Sequence, residues 1–406
     1  MFDIPHIRAQ FPILSQTVNG KPLVYLDNAA SSQKPLSVLE TWNHYYKFLN
    51  ANVHRGIHTL SQLATEEMEN ARKRMQQFIN ARQDYEVIFT RGTTEGINLI
   101  AYAMTSMLKP GDEIVVSHLE HHSNIVPWQM LCKRTGAQLK VIPMDDNGIL
   151  QLDFLDQNLS EKTKLVSVNQ VSNALGIINP VKEIISKTRK NSGAWIMIDG
   201  AQSAPHFKID VQALDCDFFV FSGHKMYAPM GTGILYGKES ILNELEPFHG
   251  GGEMIETCSF DETTYAALPF KFEAGTPNVG GNICIAAAVD FIESIGQANI
   301  QQHEHTLMAY AQEKLLELGG IKIYGENAPR AAVISFTLEN AGIASDAGMI
   351  LDKMGIAVRT GHHCTQPIMS HFKIAGTIRA SFGVYNTLEE ADALVEGVRK
   401  AQRMLS

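Results

Sequence analysis

The 406-residue sequence predicts an α/β fold, with a large domain built on a mainly parallel seven-stranded sheet and a smaller α+β C-terminal domain. Three observations carry this expectation. Seven short β-branched or aromatic runs recur through the middle of the chain, with helical patterns between them. The runs are continuously apolar, as strands are when both faces of a sheet are covered. Beyond about residue 290 the pattern changes to an alternating strand and a one-faced terminal helix.

The runs fall at 87–90, 113–117, 139–143, 165–169, 195–198, 218–221 and 233–236. They place the large domain at 18–290. The small domain takes 291–406 together with the N-terminal segment 1–17. Its strand candidates are 332–338, which alternates like a half-buried strand, and 377–382. The last helix begins after Asn386, where Thr387 and Glu390 have the spacing of a capping box. Leu388, Ala391, Leu394, Val395, Val398 and Ala401 then form one apolar face.

Apolar residues are 45% of the chain and charged residues 19%, so a core can form without disulfides or metal. The net charge of −9 argues against nucleic acid as a partner, because non-specific binding needs basic surface. Residues 1–10 hold Asp3 and Arg8 and no apolar run, so no targeting segment is expected. No apolar stretch reaches the ~18 residues that a membrane span needs. The five cysteines are odd in number and form no Cys-x-x-Cys pair. A reducing cytoplasm is the expected location. Cys132, Cys216, Cys258 and Cys284 read as small core residues.

Several segments carry chemistry. Gly92-Thr93-Thr94 follows a strand and opens a helix, where free N–H groups and the dipole favour phosphate. An ordinary capped turn has the same pattern. Gly231-Thr-Gly-Ile-Leu-Tyr-Gly-Lys-Glu239 resembles a P-loop, but Thr232 and Glu239 stand where a glycine and a Ser/Thr belong. Asp199 ends a buried strand, a position that asks for a cation or donors as partner. Lys225 follows the next strand, in Ser222-Gly-His-Lys225, where a lysine of lowered pKa can act as a nucleophilic amine. Taken singly, Asp199 also fits a turn cap and Lys225 a surface lysine. His118, His121 and His122 have a spacing that one helical face could turn into a metal site, but no acidic ligand accompanies them and no metal is expected. Cys364, in Arg359-Thr-Gly-His-His-Cys364, is either a structural cysteine or a nucleophile activated by the charge of Arg359, His362 and His363.

A phosphate cradle, a strand-end Asp and a strand-end Lys, in that order, resemble the fold-type I, class-V aminotransferase-like enzymes that use pyridoxal 5′-phosphate. The resemblance extends over 25–30, 52–58 and 379–381, and the short Arg-x-Gly-His-His-Cys loop is similar to cysteine desulfurases of the SufS type. It implies that Lys225 holds the cofactor covalently and serves as base, and that Asp199 pairs with the pyridine nitrogen. Gln202 would meet the pyridoxal oxygen, His122 the ring face, where it would also shuttle the proton of the substrate thiol, and Thr93, Thr94, Ser222 and His224 the phosphate. Thr276 would reach the phosphate in a neighbouring subunit of a homodimer. Arg379, Asn173, Arg359 and His54 would form the substrate wall for L-cysteine. Cys364 would take the sulfur as a persulfide and pass it to a carrier of the SufE or SufU kind for iron–sulfur cluster assembly. Related lyases, selenocysteine lyase among them, share this scaffold. A non-catalytic metal scaffold built on the same histidines is the remaining alternative.

Overall fold

All seven predicted runs pair into one sheet in the computed structural model, which describes residues 2–339 and 344–405. In chain order the strands are β1 (Val87–Thr90), β2 (Glu113–Ser117), β3 (Gln138–Ile142), β4 (Thr163–Asn169), β5 (Trp195–Asp199), β6 (Phe218–Ser222) and β7 (Gly233–Gly237). Their spatial order is β1-β7-β6-β5-β4-β2-β3. Strands β3 to β6, with β2 between β3 and β4, run parallel. β7 is antiparallel to both of its neighbours. The sheet is thus mainly parallel, as its continuous apolar runs require.

A second sheet of four antiparallel strands lies in the C-terminal part: β8 (Ile321–Ile323), β9 (Val333–Leu338), β10 (Arg359–Gly361) and β11 (Thr377–Ser381), in the order β8-β9-β11-β10. The helix Leu388–Leu405 covers it beside the helices Gln297–Glu317 and Ala344–Lys353. Its capping box is made: Glu390 N donates to Thr387 Oγ1 at 3.3 Å, and Thr387 N donates to Glu390 Oε2 at 3.2 Å. The expected apolar face is buried except for Leu388, which is 45% exposed because it starts the first turn, beyond the edge of the packed face.

One cluster of buried residues belongs to the C-terminal unit and draws in Leu26, whose neighbours Val24 and Tyr25 pair with Ile356 and Ala357. Ile7, Phe11 and Leu14 pack instead into the main core, where Phe11 meets Phe291 and Tyr385. We propose the division into 18–290 and 291–406 on the basis of the two sheets; the segment 1–17, expected with 291–406, packs Ile7, Phe11 and Leu14 into the main core. The apolar helix Val279–Ile295 packs against the helices Leu36–His44 and Thr59–Ile79. No single described helix is long and apolar enough to cross a membrane. Cys258 is exposed, contrary to its reading as a core residue, because Ile255–Cys258 forms an exposed hairpin with Thr263–Tyr265.

The glycine-rich segment that misses the P-loop pattern has a packing role. Gly233 opens β7 and lies opposite both Thr90, at the end of β1, and Ser222, at the end of β6. A Cβ there would sit 2.4 Å from Gly92 Cα. A glycine therefore lets the loop after β1 cross the end of β7 and reach β6. Gly233→Ala is expected to lower stability by about 1–3 kcal/mol through overpacking. Gly193→Ala, with open space at its Cβ, is expected to stay within about 0.5 kcal/mol. Denaturant midpoints of the two variants measure the difference; equal midpoints would remove this role for Gly233.

Candidate active site

A cavity of about 190 Å3 opens at the C-terminal ends of the parallel strands. This is the edge at which open α/β sheets carry their ligands. Most of its walls are strand ends of the first sheet or the loops that follow them, and Ala29, Ala30 and Arg359 come from outside that sheet. After β1, Gly92 takes φ +143°, a conformation that suits glycine, and caps the helix Thr93–Ala103. Thr93 N donates to Ser222 Oγ at 2.9 Å, and the two hydroxyls are 2.8 Å apart. Thr93, Thr94 and Ser222 thereby form one polar corner beside a helix N-terminus.

Neighbouring β5 and β6 deliver the two charged groups. Asp199 is 5% exposed, and its Oδ1 accepts from Ala201 N at 2.9 Å. Burial raises its pKa, while Ala201 N–H and Lys225 oppose the rise. Lys225 faces the same cavity. Burial lowers its pKa to about 8 against the pull of Asp199. His224 lies beside it with Nδ1 buried and unpartnered, and burial brings its pKa to about 4, aided by Lys225 and Lys34. Gln202 Nε2 donates to Ala29 O at 2.7 Å, which ties the N-terminal segment over the cavity.

The histidine facing this cavity is His121, not His122. The segment 118–122 is a turn leading into the short 3-10 stretch His122–Asn124, so the three histidines share no helical face. His121 Nδ1 accepts from Ser123 N at 3.0 Å, and burial holds its pKa down at about 3, with Lys225 adding to the effect. His122 points at the cysteine loop instead: its backbone N donates to Cys364 O at 2.8 Å and its Nε2 accepts from Gln366 N at 3.1 Å. The signal missed in the sequence is Glu120. Its buried carboxyl accepts from Asn124 Nδ2 at 2.7 Å and Asn169 N at 2.9 Å, and burial raises its pKa to about 8. That anchor sets which way the next two residues face.

Asn173 and Arg359 line the cavity on its other side. Asn173 Nδ2 donates to His363 O at 2.8 Å, and its Oδ1 is buried without a partner. Arg359 Nη2 donates to Cys364 Sγ at 3.6 Å. Cys364 itself is half-buried and lies outside the lining, in left-handed backbone with φ +58°. His363 is buried and bonded to Thr377 Oγ1 at 2.9 Å, and burial lowers its pKa to about 3. It is therefore neutral and supplies no charge to the thiol, a correction to the sequence reading; Arg359 is the cation in contact.

Besides His122 and Cys364, three expected residues lie off this cavity. Arg379 is fully buried behind it, with Nη2 on Asp27 Oδ1 at 2.8 Å and Nη1 donating to Asn173 O at 2.9 Å. Thr276 lines a separate cavity of about 410 Å3. His54, at φ +66°, is held by Glu69 at 3.0 Å and Glu253 at 3.1 Å, and the Glu69 hydrogen bond raises its pKa.

The charge state of Lys225 gives this site a testable pH response. Below about pH 8 the amine is protonated and not nucleophilic; above it the amine is neutral and reactive. In protein stripped of bound small molecules, acylation of Lys225 followed by peptide mass mapping is expected to reach half its maximum near pH 8. An inflection above pH 10 would mean that burial does not govern this amine.

Comparison with known proteins supplies the remaining context. The aminotransferase class-V model matches residues 24–394. A protein named cysteine desulfurase from Cronobacter sakazakii is 52% identical over this whole chain and 99% of its own length. The crystal structure of the Escherichia coli cysteine desulfurase CsdA, in an S-sulfonic acid form, superposes with a TM-score of 0.93 at 37% identity, covering all of both chains. The apo cysteine desulfurase of Thermococcus onnurineus NA1 gives a TM-score of 0.93 at 39% identity, covering 99% of this chain and 98% of that one. A family match from the first strand pair to the last helix, over a sheet whose strand ends converge on Lys225 and Asp199, makes this chain a member of the class-V aminotransferase family.

Proposed function

We propose that this chain is a cysteine desulfurase that uses pyridoxal 5′-phosphate to convert L-cysteine to L-alanine and leaves a persulfide on Cys364. One observation carries the reading: the Lys225 amine and the Asp199 carboxylate share one cavity, and Arg359 joins that cavity to the Cys364 thiol at 3.6 Å.

The donor set fits the cofactor. Thr93, Thr94, Ser222 and His224 would hold its phosphate, and the unpartnered His224 Nδ1 is one free group for it. Asp199 would pair with the ring nitrogen, Gln202 with the ring oxygen, and His121 with the ring face. When bound, the cofactor supplies an aldehyde for an amino group and a sink for electrons from Cα.

The chain's own groups supply the rest. The Lys225 amine, poised near neutral pH by burial, takes a proton from the Cα of L-cysteine at Nζ. Arg359 and the free Oδ1 of Asn173 orient the amino acid; a planar guanidinium suits its carboxylate. Arg379, held by Asp27 and Asn173 with its Nε left unpartnered, positions Asn173 from behind. Arg359 also contacts the Cys364 sulfur, the nucleophile of the next step. The Cys364 thiolate attacks the substrate sulfur; the S–S bond forms, the C–S bond breaks, and alanine leaves after Cα and Cβ regain protons. His122 acts through the backbone of Cys364 and is a positioning residue.

The finer reading is a SufS-type enzyme, a cytoplasmic homodimer in which Thr276 and His54 face the neighbouring subunit. A carrier of the SufE or SufU kind would receive the persulfide for iron–sulfur cluster assembly. The short loop from Arg359 to Cys364 and the full-length likeness to cysteine desulfurases support it.

Cys364→Ala is expected to keep the yellow cofactor and lose sulfur transfer from L-cysteine by about a hundredfold or more, read as the loss of a one-sulfur mass gain on the chain. Undiminished transfer would assign the acceptor role elsewhere. Lys225→Ala is expected to abolish alanine formation even with cofactor present; normal turnover would refute its role as base. His121→Ala is expected to weaken cofactor retention more than His122→Ala, measured by absorbance after dialysis.

A further inference from the structure

A further cavity, of about 550 Å3, lies between the turn at 200–207, the first half of the helix Gln297–Glu317, and the segment 329–332. Two buried charged groups line it, and each keeps a polar atom that the protein leaves unpartnered. Arg330 is 7% exposed, and among the described residues its guanidinium makes no hydrogen bond and no ion pair within 4.0 Å. Its Nη1 is buried without a partner. Burial brings its pKa down to about 10, opposed by Glu326. Glu304 is 2% exposed; Oε2 meets His206 Nδ1 at 2.6 Å, and Oε1 is buried without a partner.

Leaving a buried charged donor or acceptor unpaired is costly, so each group points to a ligand that completes it. Arg330 calls for a carboxylate or another planar oxyanion. Glu304 Oε1 calls for a cationic or N–H donor. A simple anion would satisfy Arg330 but face the free oxygen of Glu304; a simple cation has the reverse fault. One small molecule carries both charges on adjacent groups, and Ile178, Phe207 and Pro329 give apolar wall for a side chain. We propose that this cavity is a binding site for a free zwitterionic α-amino acid, with its carboxylate on Arg330 and its ammonium on Glu304.

Both walls of the cavity run on into the candidate active site. Ile178 N donates to Pro329 O at 2.9 Å and Ala331 N donates to Gly176 O at 2.8 Å, and the turn so clamped begins at Asn173. His206 N donates to Ser203 O at 3.0 Å, just after Gln202. The two cavities are nonetheless lined by different residues.

The test is equilibrium dialysis of the intact holo-protein with labelled L-alanine, L-leucine and L-glutamine, and with propionate and ethylamine as single-charge controls. At least one amino acid is expected to bind in the Lys225→Ala variant as in the parent chain. Its affinity is expected to fall at least about tenfold in Arg330→Gln and in Glu304→Gln, the loss of one charged hydrogen bond. Propionate and ethylamine are expected to bind at least about tenfold more weakly than that amino acid. Binding of none of the three, loss of binding in Lys225→Ala alone, or propionate binding as tightly as the amino acid would each overturn the proposal. Should either variant fail to fold, a crystal of the parent chain soaked in the same amino acid decides. Density bridging Arg330 and Glu304 supports the site, and density confined to the Lys225 cavity overturns it.

Discussion

Two opposite charges brought to one cavity without a direct ion pair set the character of this molecule. Burial disfavours the charged form of Asp199 and the charged form of Lys225, and each group pulls the other back toward ionisation. A direct contact would lock both as ions and remove the amine from chemistry. Separation leaves an amine close to its neutral form and a carboxylate in need of a donor. A ring that offers a carbonyl carbon at one end and a protonated nitrogen at the other answers both needs. The sheet exists to hold this separation: β5 and β6 are parallel neighbours, so their C-terminal ends emerge side by side and fix the two side chains from independent strands.

The antiparallel β7 is the second requirement. A fully parallel neighbour would put a further loop at this edge, between the ends of β6 and β1. Because β7 runs the other way and begins with Gly233, its start lies flush with Thr90 and Ser222. Thr93 can then bond Ser222 across it. The polar corner beside the helix N-terminus is thus a product of strand direction and one missing side chain, not of a phosphate motif read along the chain.

These two devices explain what was legible in the sequence. The strands were readable because a sheet buried on both faces leaves continuous apolar runs. The observed strands extend past several of them at polar residues such as Asp199 and Ser222, which keep the ladder while serving the cavity. Lys225, Asp199 and Thr93 were readable because strand ends are where such folds place function. The choice between His121 and His122 was not, because adjacent residues in a turn diverge according to an anchor, here Glu120, that lies off the motif. The placing of Arg379 was not legible for a related reason: it pairs across β10 and β11 with Arg359, and only tertiary packing decides which of two facing arginines lines the cavity. The exposed Cys258 shows the same limit, since a strand-like context in sequence does not make a core.

The cysteine loop has to meet two opposed demands, and its backbone shows how. Under the proposed function, the thiol must approach the cavity to take sulfur from a buried substrate and must stay reachable from solvent to give it up. Cys364 sits at the rim, half-buried, with left-handed backbone at both His363 and Cys364, a conformation that costs roughly 1–2 kcal/mol per residue. Bonds from His122 N to Cys364 O, from Asn173 Nδ2 to His363 O and from Gln366 N to His122 Nε2 offset that strain. On the side away from Cys364, Gly376 packs so closely on Gly361 that a Cβ would lie 2.6 Å from its carbonyl carbon. The loop is therefore pinned on both sides of the thiol, and its reach is set by the few residues between Gly361 and Gln366. A short, pinned loop keeps the thiol beside Arg359 at the mouth of the cavity.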